Sequence, residues 1–170
     1  EQKEDMKFVF NGLKGLGVLD YVTAWYLKAS KYIQETNIKV AFVSTNSITQ
    51  GEQVSVLWNE LINSYGIEIH FAHKTFNWSN EAKNNAAVHV IIVGFANYST
   101  KNKILFEYEN INKEPDEIKA KNISPYLIDA NNSVAISRSI PICNVQAIVR
   151  GSETTDSGHF MLSEEEKDFL

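Results

Sequence analysis

Cysteine is almost missing from this sequence: Cys143 is the single one among 170 residues. An internal disulfide is therefore excluded, and the chain suits a reducing compartment. One cysteine and scattered histidines also make no metal site of recognisable spacing. The three prolines, Pro115, Pro125 and Pro141, are isolated from one another. No apolar run is long enough to span a bilayer, and no basic start precedes an apolar core, so no secretory signal is visible. Basic residues are outnumbered, for a net charge of -5. That argues against a free-standing nucleic-acid binder, which usually has a basic excess, but leaves room for a basic face or for one part of a larger basic surface. Repeats and low-complexity tracts are absent. What remains is the composition of a soluble globular domain, long enough for a real core.

The stretch Lys39–Gln53, KVAFVSTNSITQGEQ, organises the chain. The apolar run Val40–Val43 reads as a buried parallel strand covered on both faces. A polar turn follows through Ser44, Thr45, Asn46 and Gln50, and a helical pattern begins at Gly51. Strand, polar loop, helix is the arrangement in which α/β sheets bind ligands at the carboxyl ends of strands. Turn and cap chemistry accounts for much of the loop, with Thr49 and Glu52 spaced as a capping box. It accounts less well for Asn46 and Gln50, whose amides could read a base or position a substrate.

Before this stretch, Glu1–Lys7 reads as a solvated lead-in. Gly12, Gly15 and Gly17 do not fit G-x-G-x-x-G and follow no convincing strand, so they are not a dinucleotide site. Val18, Val22, Trp25, Tyr26, Ala29 and Ile33 recur at helical spacing and predict a helix over Leu19–Gln34 with its aromatics in the core. Asp20 suits the start of that helix, and Lys28 and Lys31 fall on its solvated side. After the loop, Val54, Leu57, Trp58, Leu61, Ile62 and Tyr65 form the cleanest helical period, ended by Gly66.

Ile67–His73 alternates as a half-exposed strand, and Ala87–Phe95 is a second, strongly apolar one. Between them, Phe76 and Trp78 stand in a polar loop. They are either a local cap on the core or a stacking platform for a flat ligand such as a nucleobase. His70, His73 and His89 read as strand residues. Beyond Phe95 the signal weakens. Ile104–Tyr108 suggests an edge strand, Asn110–Asn122 a linker, Pro125–Ile128 a short apolar patch, Ser133–Ser137 a short strand, Val145–Val149 a further apolar stretch, and Gly151–Gly158 a loop. Ser163 with Glu166 opens like a capped helix that would be barely two turns long at Leu170, too short to be stable alone. With Glu1 rather than Met in first place, the expectation is a piece of a longer protein.

On LDYVTAWYLKASKYI, KVAFVSTNSITQGEQ, AHKTFNWSNEA, AVHVIIVGF and NISPYLIDANNSVAISRS, the chain resembles the catalytic domain of adenine-specific DNA methyltransferases, in particular the fused restriction–modification enzymes of the MmeI-like kind. The resemblance implies an α/β fold: the C-terminal part of a Rossmann-like methyltransferase sheet ending in an antiparallel hairpin, over residues 1–109. Residues 110–170 would be a loop-rich connector toward a target-recognition domain. It implies a bacterial-type cytoplasmic protein whose parent moves a methyl group from S-adenosylmethionine to N6 of an adenine flipped from double-stranded DNA. Phe76 or Trp78 would stack on the base, and Ser44, Thr45, Asn46 and Gln50 would lie beside the pocket near the DNA. The family's Asn-Pro-Pro-aromatic motif and its Gly-rich cofactor turn have no counterpart here. The resemblance thus implies that this chain alone contains no catalytic residue and is inactive. The competing readings are a non-catalytic methyltransferase-like module that binds DNA or protein, and an unrelated α/β scaffold without the terminal hairpin. An incomplete sheet would expose an edge and an apolar face, which predicts self-association.

Overall fold

Three helices lie on one face of a five-stranded mixed sheet in the computed structural model, which describes residues 1–78, 88–110, 113–136, 138 and 140–145. Glu1–Ser137 form one unit and Arg138–Leu170 another. Of the second, Ile140, Ile142, Cys143 and Val145 are exposed. Residues 79–87, the end of the apolar stretch expected over Val145–Val149, the loop expected over Gly151–Gly158 and the capped helix expected from Ser163 lie outside the described residues.

The elements are α1 (Gln2–Phe10), α2 (Thr23–Tyr32), β1 (Val40–Thr45), α3 (Gly51–Tyr65), β2 (Glu68–Trp78), β3 (Val88–Ala96), β4 (Lys103–Glu107) and β5 (Asp116–Ala120). The sheet order is β1-β3-β2-β4-β5. The expected hairpin is there: β2 pairs antiparallel with β3. The unrelated scaffold without it is thereby disfavoured. The sheet goes further, because β4 runs parallel to β2 and β5 antiparallel to β4.

Several expectations need correction. The start of the chain is no solvated lead-in but helix α1, because Met6 and Phe10, four apart on one face, are buried. Helix α2 begins later than expected, at Thr23, whose hydroxyl donates to the Asp20 carbonyl at 2.7 Å. Tyr26 is in the core, but Trp25 is 53% exposed, with the Lys28 ammonium 5.3 Å from its ring centre. Lys28 and Lys31 are exposed as expected. Strand β1 is not a parallel strand covered on both faces. Among the described residues it pairs with β3 alone, antiparallel, with Ala41, Val43 and Thr45 exposed. An apolar run is compatible with either arrangement, and periodicity cannot separate them. Ile104–Tyr108 is no edge: β4 lies between β2 and β5. The supposed linker contains β5, whose only described partner is β4 and which is polar because it lies at the margin of the sheet. Residues 133–136 form no strand.

Register determines what each face carries. Phe42, Val93, Ala72 and Leu105 are aligned across the sheet and belong to the core under the helices. Tyr26 stacks on Phe95 (5.6 Å between ring centres) and meets Trp58 edge-on. Fully burying such a side chain stabilises by about 1.5–3 kcal/mol. Val43, Ile92, His73 and Phe106 are aligned on the opposite face, beside Ala41, Gly94, Phe71 and Ile104. There the Phe71 ring covers Gly94, and a Cβ on Gly94 would lie only 2.0 Å from it. Gly94→Ala is therefore expected to displace Phe71 and cost about 1–3 kcal/mol in urea unfolding.

The segment after β5 is fastened to the sheet. The Lys103 ammonium, in a residue only 4% exposed, donates to Glu68 Oε2 at 2.7 Å and to Asn122 Oδ1 at 2.8 Å. Asn122 in turn donates to the carbonyl of Ala130 and to Asn132, while Ile123 and Leu127 enter the core. Burial pushes the Glu68 carboxyl up, but hydrogen bonds from Lys103 and Ser99 together outweigh it, so its pKa falls below the usual glutamate value. A depressed folded pKa contributes stability above the unfolded pKa and loses it as pH falls through the folded one. Thermal stability should thus drop on acidification below the ordinary glutamate pKa of 4.5, and less steeply in Glu68→Gln. Glu68→Ala leaves a buried ammonium without its counter-charge and should cost about 3 kcal/mol, more than Lys103→Met, which removes the charge and keeps the packing.

Candidate functional site

The polar turn at the carboxyl end of β1 is built from inside outwards. Ile48 is buried beneath it, and its carbonyl accepts a 2.8 Å hydrogen bond from Trp58 Nε1 of α3. The turn is a single 3₁₀ stretch, Asn46–Thr49. The Thr49 hydroxyl donates to the Asn46 carbonyl at 2.8 Å, so it is committed within the turn and the Thr49–Glu52 capping box does not form. Gly51 then enters α3 with φ of +58°, a conformation open to glycine at little cost.

The predicted residues of this stretch separate. Ser44 is buried on the core side of β1 and shares a 3.0 Å hydrogen bond with the Tyr26 hydroxyl. Burial raises the Tyr26 pKa to about 12, against the pull of Ser44. Thr45 is exposed and bonds to Ser47, which donates to Asp20. Asp20 thus braces this turn as well as preceding α2. Asn46 reaches across to β2, its Nδ2 donating to Thr75 Oγ1 at 3.4 Å. Gln50 lines a cleft of about 210 Å³ with Thr49, Lys74, Thr75 and the turn Tyr126–Leu127–Ile128. Leu127 is held at a positive φ of 54° in that turn.

Phe76 and Trp78 are not in a loop. Strand β2 continues through Trp78, with Phe76 opposite Val90 and Trp78 opposite Val88. The polar residues around them hid the strand, because the far end of β2 is less buried than its start. The pairing is irregular between His73 and Phe76, and such bulges re-aim side chains next to active sites. Phe76 stacks on Tyr108 (5.2 Å, 22°) and has Trp78 6.4 Å away on a tilt. Trp78 is 45% exposed. Tyr108 shares a 2.8 Å hydrogen bond with His73 Nδ1, and His73 lies flat on Phe106 at 4.1 Å. Burial lowers the His73 pKa below the usual histidine value. Burial, helped by Glu114, raises that of Tyr108. His70 is buried and donates through Nε2 to the Tyr98 carbonyl at 2.7 Å. His89 is exposed.

Asn46, Thr75 and Phe76 are therefore brought to one end of the sheet, with Gln50 and Lys74 in the adjoining cleft; Ser44 turns away into the core. Lys74 is paired with Glu107 at 2.5 Å. Sequence reading missed Thr75, Lys74, Tyr108 and His73. Only the alternation Ile104, Phe106, Tyr108 signalled that Tyr108 extends an aromatic face. Among the described residues no group of three His, Cys, Asp or Glu could hold a metal ion, and no helix is long and apolar enough to cross a membrane. Nor do the glycines near the start of the chain fit the turn that holds an adenosyl cofactor. Gly12, Gly15 and Gly17 lie between α1 and the 3₁₀ turn Leu16–Val18 or within it, not after a strand, and a Cβ on Gly15 would meet Val56.

Comparison with known proteins bears on this arrangement. Residues 1–107 match the family described as MmeI, DNA-methyltransferase domain. DNA methyltransferase A of Bacillus subtilis (strain 168) is 49% identical over 166 residues, 96% of this chain. The type IIL restriction–modification enzyme MmeI, solved in complex with DNA, superposes with a TM-score of 0.89 at 53% identity over 99% of this chain. The chain spans 18% of the length of the first protein and 22% of the second.

Proposed function

Since this chain belongs to the family of the MmeI DNA-methyltransferase domain, we propose that the full-length protein transfers a methyl group from S-adenosylmethionine to the N6 amino group of an adenine flipped out of duplex DNA. Residues 1–109 are the C-terminal half of its catalytic domain, and residues 110–170 lead toward a target-recognition domain. The cofactor and the amino group are held by residues outside this chain, so the isolated chain is inactive and self-associates. The whole protein works in the bacterial cytoplasm, where its DNA substrate is.

The observation that supports this best is the end of β2. A base taken out of a duplex needs a flat apolar surface to replace its lost stacking. Phe76 offers one. It is the better choice over Trp78, because it is already clamped by Tyr108, follows the irregularity in β2, and is adjacent to Thr75, which Asn46 engages. Asn46 and Gln50, with Thr45 at the rim, face the nucleic acid. Ser44 contributes by holding β1 to Tyr26.

The test is methyl transfer from labelled S-adenosylmethionine to duplex DNA by the full-length protein, followed by identification of the modified nucleoside. N6-methyladenine is expected. Binding to varied duplexes without any transfer would instead favour a module that binds DNA or a protein and does no chemistry.

A further inference from the structure

We propose that Tyr108 and His73 are positioning residues for base flipping: a relay from β4 that holds the Phe76 ring flat and ready for the extruded adenine. This rests on the role proposed above for Phe76. The observations form a continuous chain. Phe106 and His73 occupy neighbouring strands in register and stack nearly parallel, 4.1 Å apart at 5°. That contact fixes the plane of the imidazole. His73 Nδ1 then shares a 2.8 Å hydrogen bond with the Tyr108 hydroxyl. Tyr108 lies just past the end of β4, where among the described residues no strand pairing of its own orients it. The bond to His73 supplies what the backbone does not. The tethered Tyr108 ring stacks on Phe76 at 5.2 Å and 22°. One ring face of Phe76 is thereby backed and its rotamer limited.

A ring backed in this way has less freedom to lose when a base settles on its other face. A partner that must be ordered during binding costs affinity, and one ordered in advance does not. The benefit falls on the step in which the adenine leaves the helix, where unpairing and unstacking must be offset. It should shrink when the target adenine has no base-pairing partner to leave.

That difference separates positioning from mere support of the fold. The modified adenine is first located by sequencing DNA exposed to the full-length protein. Methyl transfer is then measured on two duplexes, one with the target adenine paired and one with it opposite an abasic site. Tyr108→Leu is expected to lower kcat/KM about tenfold on the paired duplex, with the deficit at least about threefold smaller on the abasic one. Tyr108→Phe keeps the ring and loses the tether, so a smaller deficit confined to the paired duplex is expected. His73→Leu should behave like Tyr108→Phe. Equal deficits on both duplexes, or wild-type activity of Tyr108→Leu on both, overturn the proposal. If Tyr108→Leu does not fold, Tyr108→Phe decides by the same comparison. Phe76→Leu is measured beside them. If it is unimpaired, the stacking role of Phe76 falls and this inference with it. If it is impaired while the Tyr108 and His73 variants are not, only the relay falls.

Discussion

Phe76→Ala in the full-length protein is expected to lower methyl transfer by about five- to a hundredfold, with duplex binding largely kept. The magnitude follows from base–aromatic stacking, worth about 1–3 kcal/mol per base, at a tenfold change per 1.4 kcal/mol. The loss should fall on turnover more than on duplex affinity, because most contacts of a duplex are with its phosphates and are unaffected. Trp78→Ala is the control. It removes a ring of similar character 6.4 Å away, but one that is 45% exposed at the tip of β2 and not clamped by Tyr108. A smaller effect is expected there. If Trp78→Ala were the damaging change and Phe76→Ala the mild one, the assignment of the stacking ring would be reversed. If neither changed turnover, both would be packing residues. The steady-state rate on DNA carrying the mapped site distinguishes the three.

Trp58→Ala should produce the largest loss of stability, about 3–5 kcal/mol in urea unfolding, the range for truncating a buried Trp. Trp58 is completely buried in α3 and meets Tyr26 edge-on. It has a second task, because its Nε1 donates to the Ile48 carbonyl inside the turn Asn46–Thr49. The alanine variant therefore opens a cavity and leaves a buried carbonyl without its donor. Trp58→Phe separates the two effects. It keeps most of the apolar volume and should cost about 1–3 kcal/mol, mainly for the orphaned carbonyl. Since that turn presents Asn46 to Thr75, Trp58→Phe should also reduce methyl transfer more than its loss of stability explains. Comparing activity well below the melting transition tests this.

The candidate site was only partly legible from the residues. Asn46 and Gln50 stood out because amides in a strand-end turn exceed what capping needs, and the structure places one against β2 and the other in a cleft. Ser44, a hydroxyl in the same polar stretch, carried no local sign of which way it faces. Alternation along β1 turns it toward Tyr26. Phe76 and Trp78 were recognisable as aromatics needing a partner, but that partner, Tyr108, is 32 residues from Phe76, and nothing local links the two. His73 reads as an ordinary strand residue until its register with Phe106 is known.

The sequence by itself determined the helices with strong period, one alternating and one apolar strand of the hairpin, the absence of an internal disulfide and, through stretches such as FNWSNEA, the family. These follow from local patterns: the 3.6-residue period of α3, the continuous apolar character of β3, and the glycine at the end of α3. Tertiary structure alone decided that β1 pairs antiparallel, that β4 and β5 extend the sheet, that β2 runs on through Trp78, and that the segment around Asn122 is tied to buried Lys103. The physical reason is the same in each case. Strand pairing and charge burial depend on partners distant in the chain, and a short polar strand such as DEIKA has no pattern of its own until a neighbour supplies the hydrogen bonds that make it one.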